Sequence, residues 1–250
     1  MQTLTPMTAD RRALHRIPEL GDELPKTMDY LQDVLGTLDC EVLFPLDSAV
    51  CAYFDFGAPD TLAFRAEMDA LPIAERTGLP FASQHSGKMH ACGHDFHAAM
   101  LLTAAKMLKE KEDTLEGTIK FMFQPAEETF EGSKNMIENG ILENPPVDAA
   151  LAYHVSPGKM PIGLFMYNDK DTMMYSVDGF KITIHGKGSH GAYPHVGVDP
   201  INIGVHIHLA LQELIARESD PTHSCVLTIG QFAGGTAANI IPETAVLQGT

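Results

Sequence analysis

The chain has 250 residues, 44% of them apolar and 20% charged, which is ordinary globular composition and enough for at least one sizeable core, with two domains expected. A formal net charge of −16 leaves no basic stripe to displace counterions from a phosphate backbone, which argues against a nucleic-acid partner. Residues 1–21 carry charges and Pro18 where a secretion signal needs an apolar core, and no apolar run approaches ~20 residues, so a cytoplasmic protein without a membrane partner is expected.

Leu24, Met28, Leu31, Leu35 and Leu38 recur at helical spacing, and 41–44, 49–56 and 61–68 then read as short strands between turns. A helix starting near Asp95 sets Ala98, Leu101, Leu102, Ala105 and Leu108 on one side and ends before Gly117. There follow a strand over 118–124, a helix near 133–139 and a buried strand over 148–154. Alternating strands and helices predict an α/β layer, with helices packed on a parallel or mixed sheet. After Asp171 the rhythm changes to a strand over 179–185, an amphipathic helix over 200–217, and strands over 225–232 and 244–248. That β-α-β-β order opens a ferredoxin-like module, which a further helix and strand would complete, so a C-terminally truncated sequence is expected. Cys40, Cys51, Cys92 and Cys225 are widely spaced without a paired-cysteine motif; no disulfide framework is expected, and all but Cys92 read as buried thiols.

Chemistry-bearing residues gather at predicted strand ends. Cys92 and His94 are two apart, so in an extended segment both side chains point the same way, whereas on a helix they diverge by roughly 200°. They read either as a metal-ligand pair just before a helix or as a buried thiol and a capping histidine. Glu127 and Glu128 follow the strand ending at Gln124 and the turn residue Pro125. Beside one cation, adjacent carboxylates divide the work, one coordinating and one facing the water to move its proton; away from a cation they are an exposed acidic pair. His154 closes the apolar run 149–153 and reads as a satisfied core histidine or a ligand. Asp69 reads equally as a turn former or as a group orienting a histidine. The crevice reading gains because Asp69, Glu127, Glu128 and His154 all lie at or beyond the carboxyl ends of predicted strands, where open α/β sheets bind ligands. The chemistry this set suits is metal-assisted hydrolysis.

Seven segments, Arg12 to Leu20 (RALHRIPEL), Arg65 to Pro72 (RAEMDALP), Lys88 to His97 (KMHACGHDFH), Gln124 to Glu128 (QPAEE), Tyr153-His154, Gly186 to Pro200 (GKGSHGAYPHVGVDP) and Gly234 to Pro242 (GGTAANIIP), carry a family resemblance over nearly the whole chain. The chain resembles the aminoacylase, hippurate hydrolase and indole-acetyl-amino-acid hydrolase group of metal-dependent amidohydrolases, within the glutamate-carboxypeptidase-like peptidases. The resemblance implies that Cys92, His94, Glu128 and His154 bind a pair of divalent metals and that Glu127 is the general base and acid. Zinc, manganese or cobalt would suit a mixed thiolate, imidazole and carboxylate set.

It further implies that residues 1–174 are the catalytic metal-binding domain and 175–250 a dimerisation domain, incomplete at its C-terminus. From that smaller domain His190 and Asn239 would reach the active site of a partner subunit in a homodimer, to bind substrate and polarise the scissile carbonyl. Turn hydrogen bonding for His190 and backbone capping for Asn239 are their other readings. Glu67 stands where the family commonly has aspartate, and no role is assigned to it. The family's last histidine ligand, near the C-terminus, has no counterpart here, so this polypeptide is expected to be inactive alone. The implied substrate is a small N-acyl amino acid, with a dipeptide as the close alternative. A reading from another class is a non-catalytic dimerisation protein with one closed structural zinc site made of the same four ligands; Glu127 argues against it, since a closed site has no use for a neighbouring proton acceptor.

Overall fold

The computed structural model describes residues 5–158, 160–167, 169–170 and 175–250. Two compact units result, Met1–Met160 and Pro161–Thr250. The boundary expected between 174 and 175 adjoins residues 171–174, which lie outside the described residues.

The first unit runs α1 (Pro6–Arg16), α2 (Pro25–Leu35), β1 (Glu41–Leu46), β2 (Ala49–Asp55), β3 (Thr61–Glu67), α3 (His94–Lys109), β4 (Thr118–Gln124), α4 (Gly132–Glu138) and β5 (Ala149–Ala152). Its five-stranded sheet has the order β1-β2-β4-β3-β5. β1 and β2 pair antiparallel, as do β2 and β4, whereas β3 lies parallel to both β4 and β5, with Glu67 opposite Gln124 and Arg65 opposite Ala152. This is the mixed sheet flanked by helices that the strand–helix alternation predicts.

Side-chain alternation sorts the strands into two faces. Val50, Ala52, Phe54, Ile119, Phe121 and Phe123 join Leu14, Met28, Leu31, Leu35, Leu101 and Leu102 in the main core, beneath α1, α2 and α3. The opposite positions Ala49, Cys51, Ala63 and Met122 meet Met136 and Ile141 in a thinner layer under α4. On that thin side Lys120 is fully buried, its ammonium donating to the carbonyls of Ile141, Asn144 and Pro145. Three carbonyl acceptors compensate part of the desolvation that pulls its pKa down.

Helix α1 is not anticipated by the periodicity, because its polar residues dilute the pattern; Pro6 in its first turn and Thr5, whose hydroxyl accepts the Thr8 N–H, start it. The strand expected over 148–154 as a buried one is shorter and exposed. It stops at Ala152, pairs only with β3 at the edge of the sheet, and has all four of its residues exposed.

The second unit runs β6 (Phe180–His185), β7 (Ser189–His190), α5 (Pro200–Glu213), β8 (Ile229–Gly234), β9 (Ile240–Ile241) and β10 (Thr244–Gly249). β10 lies between β6 and β8 and is antiparallel to both, so β6 and β8 are parallel with one strand inserted, the split β-α-β arrangement of a ferredoxin-like module. Asp199 caps α5 by accepting the N–H groups of Ile201 and Asn202. The helix ends at Glu213 and widens over 214–218, four residues short of the expected Arg217. β8 begins at Ile229, not Cys225, and Cys225 is exposed, which corrects its reading as a buried thiol. Cys40 is half-buried, Cys51 buried, and all four cysteines are free. No helix among the described residues is long and apolar enough to cross a membrane.

Candidate metal centre

The three mutually parallel strands end at the same rim of the sheet, and each is followed within a few residues by a candidate side chain. Asp69 lies two residues past β3, Glu127 and Glu128 three and four past β4, and His154 two past β5. The loop after β4 is tightly closed. Ala126, at φ 49°, accepts the N–H groups of Glu131 and Gly132 on its carbonyl, and the Phe130 N–H donates to Glu127 O at 2.9 Å. A Cβ on Gly132 would stand 1.7 Å from Pro125 O, so only glycine lets this loop close. The approach to α3 is equally constrained: Gly93 has φ +94°, and a Cβ there would lie 2.5 Å from Val155 Cγ2. Cys92 and His94 flank that glycine, which seats them against the segment carrying His154.

The ligand atoms converge. Cys92, His94 and His154 offer atoms all within 4.8 Å of one another, and so do His94, Glu127 and Glu128, with His94 common to both sets. Cys92 Sγ is 3.4 Å from His154 Nε2. His94 Nε2 is 3.9 Å from Glu128 Oε1 and 3.8 Å from Glu127 Oε2. His94 is buried, Cys92, Glu127 and Glu128 are half-buried, and His154 is exposed, which leaves an open side.

Hydrogen bonds set the imidazole tautomers. His94 Nδ1 faces two acceptors, Asp69 O at 2.8 Å and Asp69 Oδ1 at 3.2 Å, so it carries the proton and Nε2 presents its lone pair. His154 Nδ1 likewise donates to Val155 O at 2.7 Å, freeing its Nε2. The second Asp69 oxygen accepts the Glu128 N–H at 3.1 Å, so one buried carboxylate orients both a histidine ring and the neighbouring acidic loop.

These donors fit a cation. His94 Nε2 and Glu128 Oε1 are both buried lone-pair atoms without a hydrogen-bond partner among the described residues, yet they face each other across 3.9 Å. Two zinc–ligand bonds of roughly 2.1 Å span about 3.4 Å at a tetrahedral angle and about 4.2 Å in line, so the gap admits one ion. The local charge points the same way: burial, then Glu128, Glu127 and Glu67, push the Cys92 thiol up to about 12, a bias that a nearby divalent ion would reverse. Glu127 is also raised, by burial first and by Glu128 and Glu67, against the lowering influence of His94.

Beneath these groups lies a pair to which the sequence reading assigns no role. His97, one turn after His94 on α3, places Nδ1 2.8 Å from Glu67 Oε2, and its Nε2 accepts the Val155 N–H at 2.9 Å. Arg65 binds the other Glu67 oxygen. Burial opposes ionisation of Glu67, but His97 and Arg65 outweigh it and hold the carboxyl at about 2. Glu67, His94 and His97 also cluster at metal-ligand distances, but both His97 nitrogens are already engaged, so that trio is not available for an ion.

In the second unit β7 pairs with β9 in a two-residue ribbon, His190 opposite Ile240, and the Gly191 N–H donates to Asn239 O at 2.7 Å. His190 and Asn239 are thus adjacent and exposed. His190 Nδ1 accepts the Ala192 N–H at 3.1 Å, so the neutral ring carries its proton on Nε2 as an outward donor.

Residues 63–246 match the model of Peptidase family M20/M25/M40. The chain is 42% identical over 243 residues to an N-acetyl-L-cysteine deacetylase of Bacillus subtilis (strain 168), covering 96% of this chain and 57% of that protein. It is 41% identical over 246 residues to the Arabidopsis thaliana IAA-amino acid hydrolase ILR1-like 5, covering 98% of this chain and 55% of that protein. Among solved structures, a Bacillus subtilis dinuclear metal binding peptidase from the M20 family superposes with a TM-score of 0.71 at 34% identity, over 97% of this chain and 62% of that one. The chain therefore spans a little over half the length of these relatives. With a family model matching most of its length and relatives above 40% identity, the chain belongs to peptidase family M20/M25/M40.

Proposed function

We propose that the protein is a metal-dependent amidohydrolase that cleaves the amide of N-acyl amino acids, adding the hydroxyl of water to the acyl carbon and its proton to the released amine. The observation that carries this reading is the pair of facing, unpartnered donors, His94 Nε2 and Glu128 Oε1, with the Glu127 carboxylate 3.8 Å from the same nitrogen. Cys92, His94, Glu128 and His154 would hold a pair of divalent metals, zinc or manganese with cobalt also compatible. When bound, such ions supply Lewis acidity to the substrate carbonyl and lower the pKa of water. Glu127 takes the proton from that water and hands it to the leaving nitrogen. Asp69 holds His94 and the Glu128 backbone in register.

Residues 1–174 would form this metal-binding domain and 175–250 a domain that pairs two copies. From a neighbouring copy, His190 would donate its Nε2–H to the developing oxyanion, and Asn239 beside it would help orient the substrate. Relatives named as an N-acetyl-L-cysteine deacetylase and an IAA-amino acid hydrolase support the N-acyl amino acid as substrate class. A cytoplasmic location agrees with the sequence reading.

The test, in a chain extended to the length of its relatives and so carrying the last histidine ligand that the resemblance implies, is amine release from N-acetyl and N-benzoyl amino acids, with metal stripped and then restored as zinc, manganese or cobalt. Metal-dependent cleavage is expected. Cleavage confined to dipeptides with a free amino end would favour the dipeptidase reading, and cleavage indifferent to chelation would overturn the metal mechanism.

A further inference from the structure

We propose that Glu67 and His97 act as a positioning pair for His154, fixing through Val155 the direction in which the His154 ring presents its Nε2. The inference rests on the reading of His154 as a metal ligand. Both atoms of Val155 that matter are gripped: its N–H donates to His97 Nε2 at 2.9 Å, and its carbonyl accepts His154 Nδ1–H at 2.7 Å. From the other side Val155 Cγ2 lies against the Gly93 backbone, where a Cβ would come within 2.5 Å. The His97 and His154 rings are 4.5 Å apart, centroid to centroid, at an interplanar angle of 68°.

His97 can receive the Val155 N–H only if its own proton sits on Nδ1. Glu67 ensures this, because its carboxylate accepts that proton at 2.8 Å. In the other tautomer two N–H groups would confront each other, and the backbone that orients His154 would lose its anchor. The pair is shielded from competing water, with His97 fully buried and Glu67 nearly so, and Arg65 holds the second Glu67 oxygen while its Nε donates to Gln124 at 2.9 Å. The Tyr153 hydroxyl adds a further link, donating to the His97 carbonyl at 3.0 Å. The chain of contacts thus runs from β3 through α3 to the segment after β5, joining three elements that otherwise reach the site separately.

The experiment pairs zinc titration of the full chain with long-range 1H–15N correlation spectra of the metal-free protein. Metal-free wild type should contain His97 as a single Nδ1–H tautomer. Glu67→Leu removes the acceptor and should weaken zinc binding by about 10–100-fold, with the single tautomer lost. Glu67→Asp keeps a carboxylate that can accept from both His97 and Arg65 and should restore both readouts to within about threefold of wild type, a rescue that a merely space-filling role would not require. An Nε2–H tautomer of His97 in wild type overturns the proposal, as does a Glu67→Leu protein whose zinc affinity stays within about threefold of wild type. If Glu67→Leu fails to fold, the wild-type tautomer alone decides. Wild type that binds no zinc at all sinks the metal reading together with this proposal, whereas zinc binding indifferent to Glu67 sinks only the proposal.

Discussion

The two units hold their candidate residues in different ways. In the first, His94, Asp69, Glu67 and His97 are buried and each ring nitrogen that is not aimed at the centre is tied to a carbonyl, a carboxylate or a backbone N–H. In the second, His190 and Asn239 stand exposed on a two-residue ribbon, and His190 is oriented by a single local contact from Ala192. The surroundings differ as well. The first unit packs three helices onto one sheet face, while the second has a small core of Ile184, Ala245 and Leu247 and leaves Val205 and Leu209 of α5 exposed. Burial with full hydrogen bonding suits groups that hold a site in place; exposure with one fixed tautomer suits a donor that meets its target only in an assembled site.

Substitutions should separate these two modes. The largest effect is expected at Glu127: in a chain extended to the length of its relatives, Glu127→Gln should retain metal and lower kcat by about 10²–10⁴-fold, because the amide keeps the shape and loses the basic oxygen. Near-normal kcat at saturating metal would remove Glu127 from the proton path. In the same extended chain His190→Ala in the second unit should lower kcat by about 10²–10³-fold, as for the loss of one oxyanion donor, with metal affinity unchanged. A drop in metal affinity there would erase the distinction between the units. Asp69→Ala should do the converse, weakening metal binding by about 10–100-fold as measured by titration, since both His94 and the Glu128 backbone lose their anchor.

A smaller effect is expected in acid. Glu67 has its pKa lowered from 4.5 to about 2, so the folded state binds its proton less readily than the unfolded chain. The stability this supplies is present above pH 4.5 and fades as pH falls toward 2. Metal-free wild type should therefore lose on the order of 1–2 kcal/mol more than Glu67→Gln across that window in denaturant titrations. Equal losses would mean that Glu67 is not held ionised by His97 and Arg65.

Much of the centre is legible in the sequence, because its residues obey local rules. Cys92 and His94 two apart before a helix, and Glu127-Glu128 after a strand and a proline, are open to a metal reading by spacing and position. The Glu67–His97 pair gives no such sign, since a carboxylate on β3 and an imidazole on α3, 30 positions apart, become partners only when the chain between them has folded. The HDFH segment offers one hint: His97 lies three residues after His94 and so on the same helix face. The edge position of β5 is hidden for a related reason. Ala149-Ala150-Leu151-Ala152 is apolar whether or not a neighbour covers it, and only the strand order places it at the edge. The second unit's ribbon rests on pairs of two residues, too short to leave a periodic pattern.

The central claim is that Cys92, His94, Glu128 and His154 converge to hold divalent metal beside Glu127. Anomalous diffraction from crystals grown with zinc or manganese tests it most directly. The account predicts density between His94 Nε2 and Glu128 Oε1, within bonding distance of both, and ligation by Cys92 Sγ and His154 Nε2 in the same cluster. Metal bound only elsewhere, or a filled site in which Glu128 and His154 turn away from the ion, would contradict it.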